Sequence, residues 1–332
     1  MVQTLTIAIP TYNRAAFLIE TLESIIPQMT SRVDLVISDN GSQDNTIEVV
    51  AKYQSLYPRI KLCRFSHNQG IDANIVNCLN NAFGDYVFFF SDDDLLMPES
   101  IKVILDTIDF YKPTMICLNH FCFKNHSLAN RFSSFLPSEN QIFAEGELFF
   151  KFCGLGFLSS LILDRMKALP ETLFVKYGKE CAHLDIGARI ALKYKGPFVF
   201  LGKVSVAGRS LISPRYHALD SCILFPKGFY EDLAKENLLT KEGFCFFINK
   251  LLYRDLPRVL AKMVLFSEVS PKKYKKILDE SFGTYWIYKR FYRSIFFMDR
   301  KIIKPILHIA AGAVFVFRKT KFIFNKIRFI EF

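Results

Sequence analysis

The sequence predicts an α/β chain: a mostly parallel, doubly wound sheet flanked by helices, followed by a mainly helical C-terminal region. Three observations carry this prediction. Short apolar runs alternate with helically spaced segments over the first hundred or so residues, the pattern of strands linked by crossover helices. Polar clusters fall directly after several of those runs, where open parallel sheets bind ligands. Beyond Pro214 the strand-like runs stop and helical spacing takes over.

The elements follow in order. Leu5–Ile9 is a short apolar run ending at Pro10, as a strand buried on both faces would be. Ala15–Ile26 places Phe17, Leu18, Leu22, Ile25 and Ile26 at helical spacing. Val33–Ser38 is a second strand, stopped by the turn cluster Asp39-Asn40-Gly41-Ser42. Asp44–Tyr53 is a helix with an acid at its start, Ile60–Phe65 a third strand and Ile71–Phe83 a third helix. Tyr86–Phe90 is a fourth strand, wholly apolar, ended by Ser91-Asp92-Asp93-Asp94. Pro98 opens a helix reaching Phe110, proline being at home in a first turn. Strands are expected at Met115–Phe123, Phe157–Leu163 and Phe198–Val206, with a helix at Leu184–Tyr194. Later helices are expected at Phe244–Leu252, Pro257–Phe266 and Lys272–Leu278. The division expected is a catalytic-type domain over 1–214, with halves near 1–110 and 111–214, then a helical region over 215–332.

Composition narrows the class. Half the residues are hydrophobic, 51%, which rules out a disordered chain and supplies a core. The net charge of +11 is concentrated: residues 281–332 hold eleven Lys/Arg against two Asp/Glu, net +9, leaving +2 for the preceding 280. A basic tail on a near-neutral body points to an anionic partner. Eight scattered cysteines form no CxxC pair and are expected to be free thiols in a reducing compartment. No signal peptide precedes the first strand, and the apolar stretch 302–317 is interrupted by Lys304, Pro305 and His308, short of the roughly 20 residues that span a bilayer. The expected location is cytoplasmic, peripheral on the inner face of the cell membrane.

The acidic run is the sharpest local feature. Three adjacent carboxylates after a buried strand repel one another at low dielectric, and a divalent cation with a diphosphate would relieve them. A solvated turn ahead of a helix N-terminus, where aspartate suits the macrodipole, reads the same residues equally well. Asp39 before a glycine is on its own a turn residue, and Pro10-Thr11-Tyr12-Asn13 on its own a loop. An aromatic beside backbone amides at a strand end can also lie against a nucleobase.

Taken together these segments resemble the inverting, GT-A-fold glycosyltransferases of family 2. The matching pieces are Ile7–Arg14, Val36–Asp44, Asn68-Gln69-Gly70 and Gly84–Asp94, in the family's order and spacing. The match covers residues 3–110 closely and 111–210 loosely, and leans towards the abequosyltransferase-like branch that builds bacterial surface polysaccharides. The resemblance implies that Pro10, Thr11, Tyr12, Arg14, Asn68 and Gly70 hold the nucleotide of a nucleotide-sugar donor and that Asp39 meets the base edge. It implies that Asp92 faces the ribose and diphosphate and that Asp93, with Asp92 and Asp94, ligates Mn²⁺ or Mg²⁺ in the manner of a DXD motif; Ser91 stands where the family often has aspartate. The family's base is the Asp of a Glu-Asp pair before a late helix. Here that stretch reads Glu180-Cys181-Ala182-His183-Leu184-Asp185, so His183, Asp185 and Glu180 all stand as candidates for the proton acceptor, His183 also being a plausible helix-start residue. The implied acceptor is a glycan or lipid-linked hydroxyl.

Two rival readings use other residues. A sugar nucleotidyltransferase needs a glycine-rich basic loop after the first strand, and Ile9–Arg14 contains no glycine. A non-catalytic membrane- or nucleic-acid-binding protein would rely on the tail, but three acids at a strand end suit nucleic acid poorly. The tail itself has fourteen aromatic residues in fifty-two. Tyr285, Trp286, Tyr288, Phe291 and Tyr292 fall near Lys289, Arg290 and Arg293, a combination suited to an anionic membrane surface; packing against the rest of the protein is the other reading.

Overall fold

The computed structural model describes residues 2–124, 127–132, 137–176, 178, 180–210, 223–257, 259–260, 272–286 and 288–292. The chain forms two compact units, Met1–Ser213 and Pro214–Phe332.

The first unit is built on one ten-stranded sheet. Strands β1 (Leu5–Thr11), β2 (Val33–Asp39), β3 (Ile60–Arg64) and β4 (Tyr86–Phe89) form its parallel half in the order β3-β2-β1-β4. Every residue of β1 and β4 is buried, which is why these runs are mainly apolar on both faces rather than alternating, with Thr6 and Thr11 the polar members of β1. Helices α1 (Ala15–Ile25), α2 (Thr46–Leu56), α3 (Ile71–Asn81) and α4 (Ser100–Tyr111) connect or follow these strands. Their apolar positions recur at three- and four-residue steps: Leu18, Leu22 and Ile25 in α1, and Ile101, Ile104, Leu105 and Ile108 in α4, all buried in one cluster with Ile7, Ile9, Leu35, Ile37 and Phe88. Each such buried side chain contributes roughly 1.5–3 kcal/mol relative to exposure.

The other half of the sheet is mixed. Strand β6 (Met115–Lys124) runs parallel to β10 (Phe198–Arg209), and β9 (Leu161–Asp164) lies antiparallel between β4 and β6. The expected strand over Phe157–Leu163 is therefore shorter and starts later: Leu158–Ser160 is a single 3₁₀ turn, and Ser160 and its hydroxyl both bond to Phe157 O. Short strands β5 (Leu95–Leu96), β7 (Ser127–Phe132) and β8 (Gln141–Phe143), absent from the sequence reading, pair at the margins. Helices α5 (Gly146–Cys153), α6 (Arg165–Ala168) and α7 (Ala182–Lys193) complete the unit.

In the second unit the described residues are helical: α8 (Phe225–Lys235), α9 (Lys241–Lys250) and α10 (Lys272–Phe282), with a π-helical turn at Tyr288–Tyr292. Phe229, Tyr230, Phe247, Leu278, Phe282 and Tyr288 are buried. The aromatic stripe expected to face a membrane divides here. Tyr288 is fully buried with its hydroxyl 3.1 Å from Asp279, and the Tyr292 hydroxyl donates to Leu252 O at 2.8 Å, while Trp286 is 63% exposed. Most of the expected helix Pro257–Phe266 and the whole of residues 293–332 lie outside the described residues. Among the described residues no helix is long and apolar enough to cross a membrane.

Candidate active site

The carboxyl ends of β1, β2 and β3 bring three sequence-distant loops together, beside the acidic run that follows β4. Asn13 takes a left-handed backbone, φ 54°, which asparagine tolerates better than most residues. Its amide donates to Ser42 Oγ at 2.8 Å and its side-chain oxygen accepts from Gln43 N at 2.7 Å. Ala15 N donates to Asp44 Oδ2 at 3.1 Å. With Asn40 N donating to Thr11 O at 3.0 Å as well, the Thr11–Ala15 and Asp39–Asp44 segments are laced by four bonds. Asn40 ties in the third loop: its amide nitrogen donates to Asn68 Oδ1 at 2.9 Å and Gly70 O at 3.1 Å, and its oxygen accepts from Gln69 N at 2.8 Å.

Asp39 is fully buried, its carboxylate accepting from Ser42 N and the Ser42 hydroxyl and lying 3.0 Å from Arg64 Nε. Pro10 and Thr11 are buried at the end of β1, while Tyr12 is half-buried. Asn68 and Gly70 close a tight turn, Gly70 N donating to Asn68 Oδ1 at 2.8 Å. Gly70 has φ +86° and room for a Cβ, whereas a Cβ on Gly41 would come within 2.8 Å of His67 Cα.

The acidic run divides by direction. Asp92 accepts from Thr11 Oγ1 at 2.7 Å and lies 3.1 Å from Arg14 Nε as an ion pair; Asp93 pairs with the other end of the same guanidinium and accepts from Ser91 Oγ at 2.6 Å. Asp94 points elsewhere, one oxygen accepting from Ser159 Oγ at 2.6 Å and the other from Arg209 N at 2.7 Å. Arg209 itself is buried, donates through Nε to Asp93 O at 2.9 Å, pairs with Glu20 and stacks against Phe17 and Phe123. Burial pushes Asp92 up to about 7, with Arg14 pulling it back and Asp93 adding to the rise; burial likewise pushes Asp94 to about 7.

Among the described residues no three His, Cys, Asp or Glu side chains form a ready-made metal cage. The residues do fit a cation completed by a ligand of its own. Asp92 and Asp93 aim at one point, now held by a guanidinium. This group gathers four carboxyl groups (Glu20, Asp92, Asp93, Asp94) and two guanidiniums (Arg14, Arg209), Asp94 meeting Arg209 through its backbone amide; with all four carboxyls ionised it would carry an excess of two negative charges. Two carboxylate oxygens plus diphosphate and water match the hard-oxygen preference of Mg²⁺ and Mn²⁺.

A loop that sequence reasoning did not single out joins this run to the late helix. Ser159 Oγ accepts from Ser91 N at 2.8 Å besides donating to Asp94, and Gly156 O lies 3.3 Å from His183 Nε2. His183 and Asp185 sit in α7, which is buried continuously from Ala182 to Ala191; polar groups inside such a helix need partners. Asp185 has one, Arg189 Nε at 2.7 Å, in an ion pair with Arg189 only 3% exposed. His183 Nε2 faces a carbonyl, which can only accept, so that nitrogen carries the proton of the neutral ring. Its Nδ1 is buried with no hydrogen-bond partner among the described residues, and burial lowers the ring's pKa. Glu180 is exposed, with φ 59°.

Comparison with known proteins adds an independent line. Residues 6–161 match the description Glycosyl transferase family 2. The chain is 36% identical over 112 residues to the abequosyltransferase RfbV of Salmonella typhimurium, covering 33% of this chain and 34% of that one. It is 32% identical over 102 residues to a GalNAc(5)-diNAcBac-PP-undecaprenol beta-1,3-glucosyltransferase of Campylobacter jejuni, covering 30% and 33%. Its matches thus span about a third of the length of these curated relatives. Residues 1–349 of S. aureus TarS in complex with UDP-GlcNAc superpose with a TM-score of 0.67 at 17% identity, covering 95% of this chain and 89% of that one. That likeness is one of fold, the GT-A arrangement of a mostly parallel sheet between helices.

Proposed function

We infer the activity of this chain from its membership, through residues 6–161, of glycosyl transferase family 2: it transfers a sugar, with inversion, from a nucleotide-sugar donor to a hydroxyl of a glycan or lipid-linked acceptor in surface-polysaccharide synthesis. The observation that carries this reading is the meeting of three loops and the Asp92/Asp93 pair at one edge of the parallel strands, with His183 joined to the same group through the Gly156–Ser159 loop. The printed names of two relatives, an abequosyltransferase and a glucosyltransferase named for an undecaprenol-linked glycan, together with the UDP-GlcNAc complex of TarS, support the donor and acceptor classes.

The laced loops carrying Pro10, Thr11, Tyr12, Asp39, Asn68 and Gly70 hold the nucleotide. Asp92 and Asp93 would hold a divalent cation, Mn²⁺ or Mg²⁺, with Arg14 turning from them to a phosphate oxygen of the donor. A cation so held would supply Lewis-acid stabilisation of the leaving group's charge. Of the three base candidates, His183 is favoured: Asp185 is committed to Arg189 and Glu180 is exposed. Once the cover over the buried Nδ1 opens, the acceptor hydroxyl gives its proton to that nitrogen as its oxygen attacks the anomeric carbon, the bond to the diphosphate breaks, and the nucleoside diphosphate departs with its electron pair. A lone pair buried without a donor is costly, and a substrate hydroxyl removes that cost. Attachment of the basic C-terminal tail to an anionic membrane surface would bring the enzyme to a lipid-linked acceptor.

A thermal-shift screen of UDP-, GDP-, CDP- and dTDP-sugars, with and without Mn²⁺, tests the reading, because a ligand of the folded state raises apparent stability. One nucleotide class should shift melting and release its diphosphate on turnover; no shift and no release with any of them would reject it.

A further inference from the structure

We propose that Asp72 is a positioning residue: its carboxylate clamps the backbone that carries His183 and ties it to the loops of the donor side. The proposal rests on His183 being the base. Asp72 lies in the first turn of α3 and is 2% exposed. One oxygen accepts from Glu180 N and the other from Ala182 N, both at 2.9 Å. These contacts reach across more than a hundred residues of sequence to the start of α7. The Cys181 side chain, at the N-cap of α7, makes no cap hydrogen bond, and Asp72 supplies the cap from another helix. It also holds a conformation that the chain avoids unaided, since Glu180 has φ 59°.

The same turn of α3 is fastened on its other side to the nucleotide loops. Asn74 Nδ2 donates to Thr11 O at 3.2 Å, and Asn74 Oδ1 accepts from Ser38 Oγ at 2.6 Å. Gly70 O accepts from Asn74 N at 3.2 Å and Asn40 Nδ2 at 3.1 Å. One helical turn therefore bonds directly to Thr11, Ser38, Asn40 and the 180–182 segment. A base one residue beyond that segment keeps its distance to the donor only while Asp72 holds both amides, and a misplacement of about 1 Å can cost on the order of a hundredfold in rate.

Asp72→Asn keeps the shape but leaves one of the two amides facing an NH₂. Three measurements test the clamp. Hydrogen exchange at Glu180 and Ala182 should accelerate at least about tenfold while β1 and β4 keep their protection. Nucleotide release from the panel of UDP-, GDP-, CDP- and dTDP-sugars should lose about tenfold or more in kcat with donor KM within about twofold. Glu180→Gly placed in the Asp72→Asn background should recover part of that loss, because glycine adopts the left-handed backbone without a clamp. Unchanged exchange at 180–182 overturns the proposal whatever the activity does, and so does a loss that appears in KM and melting alone. If Asp72→Asn does not fold, fast exchange of these two amides in the unaltered protein overturns it and slow exchange supports it. His183→Gln separates the two readings: full turnover there, with Asp72→Asn impaired and its 180–182 exchange accelerated, rejects His183 as base and leaves the clamp standing.

Discussion

At the scale of single residues, partners decide what each candidate can do. Asp93→Ala removes one of the two carboxylates on Arg14 and leaves the buried strand behind it intact. Metal-stimulated nucleotide release should vanish while the melting temperature stays within a few degrees; retained stimulation by Mn²⁺ would reject the cation site. His183→Gln should lower turnover by roughly a hundredfold or more at saturating donor, the scale of a lost general base. The pH profile adds a sign. Folded His183 resists protonation because it is buried, so its ring stays neutral to below the usual value near 6.5. Turnover should hold down to that pH and fall only beneath it, and His183→Gln should erase this acidic limb. Stability moves the same way: the unfolded chain takes up the proton near pH 6.5 while the folded one does not, so the His183 contribution is complete above that value and is lost as pH falls. Asp185→Asn should behave differently. It leaves the 3%-exposed Arg189 guanidinium without its anion, costing about 3 kcal/mol of stability, while the folded variant keeps its turnover. A hundredfold loss in folded Asp185→Asn would move the base there.

Elements explain how much of this was legible beforehand. Strands β1, β2 and β4 announce themselves because burial on both faces favours mainly apolar runs, and α1 and α4 because one buried face imposes three- and four-residue spacing. The loops after β1, β2 and β4 were legible as polar clusters at strand ends. Strands β5 and β8, of two and three residues, are too short for any period to register. Ser159, Arg209 and Asp72 act through contacts 65 to 115 residues away in sequence, and nothing local marks them. Continuous burial of α7 turns His183, Asp185 and Arg189 from ordinary helix residues into a charged and polar interior, a property of packing rather than of pattern. The lacing of the loops is itself testable at Gly41, which has φ +79° and sits against His67. Gly41→Ala adds backbone strain of about 1–3 kcal/mol and a clash with a neighbouring main chain that has no side chain to yield. Stability should drop by that amount, lowering the melting temperature, and donor affinity should weaken as the Asp39–Asp44 loop is pushed off Asn13. A Gly41→Ala protein with unchanged melting and donor affinity would show that the loops tolerate separation.

On the scale of the whole molecule, charge and aromatics separate along the chain, and the structure changes where the division should be tested. Tyr288 and Tyr292 belong to the interior of the second unit, with hydroxyls bonded to Asp279 and Leu252 O, so a truncation ahead of them would damage that core and confuse loss of attachment with loss of fold. Cutting after Tyr292 spares it. The residues removed, 293–332, hold nine Lys/Arg against two Asp/Glu and eight phenylalanines. Each basic residue near an anionic surface contributes about 1 kcal/mol, and phenylalanines entering the headgroup boundary add apolar burial. Full-length protein should float with vesicles containing phosphatidylserine or phosphatidylglycerol, should float less at about 0.5 M salt because exposed charges are screened beyond a few ångströms, and should ignore purely zwitterionic vesicles. The 1–292 chain should stay at the bottom of the gradient while keeping its melting temperature and its nucleotide release from the soluble donor. Equal flotation of the two chains would place the membrane contact elsewhere, with the exposed Trp286 as the residue to change next; no flotation of either would leave the tail without a lipid role.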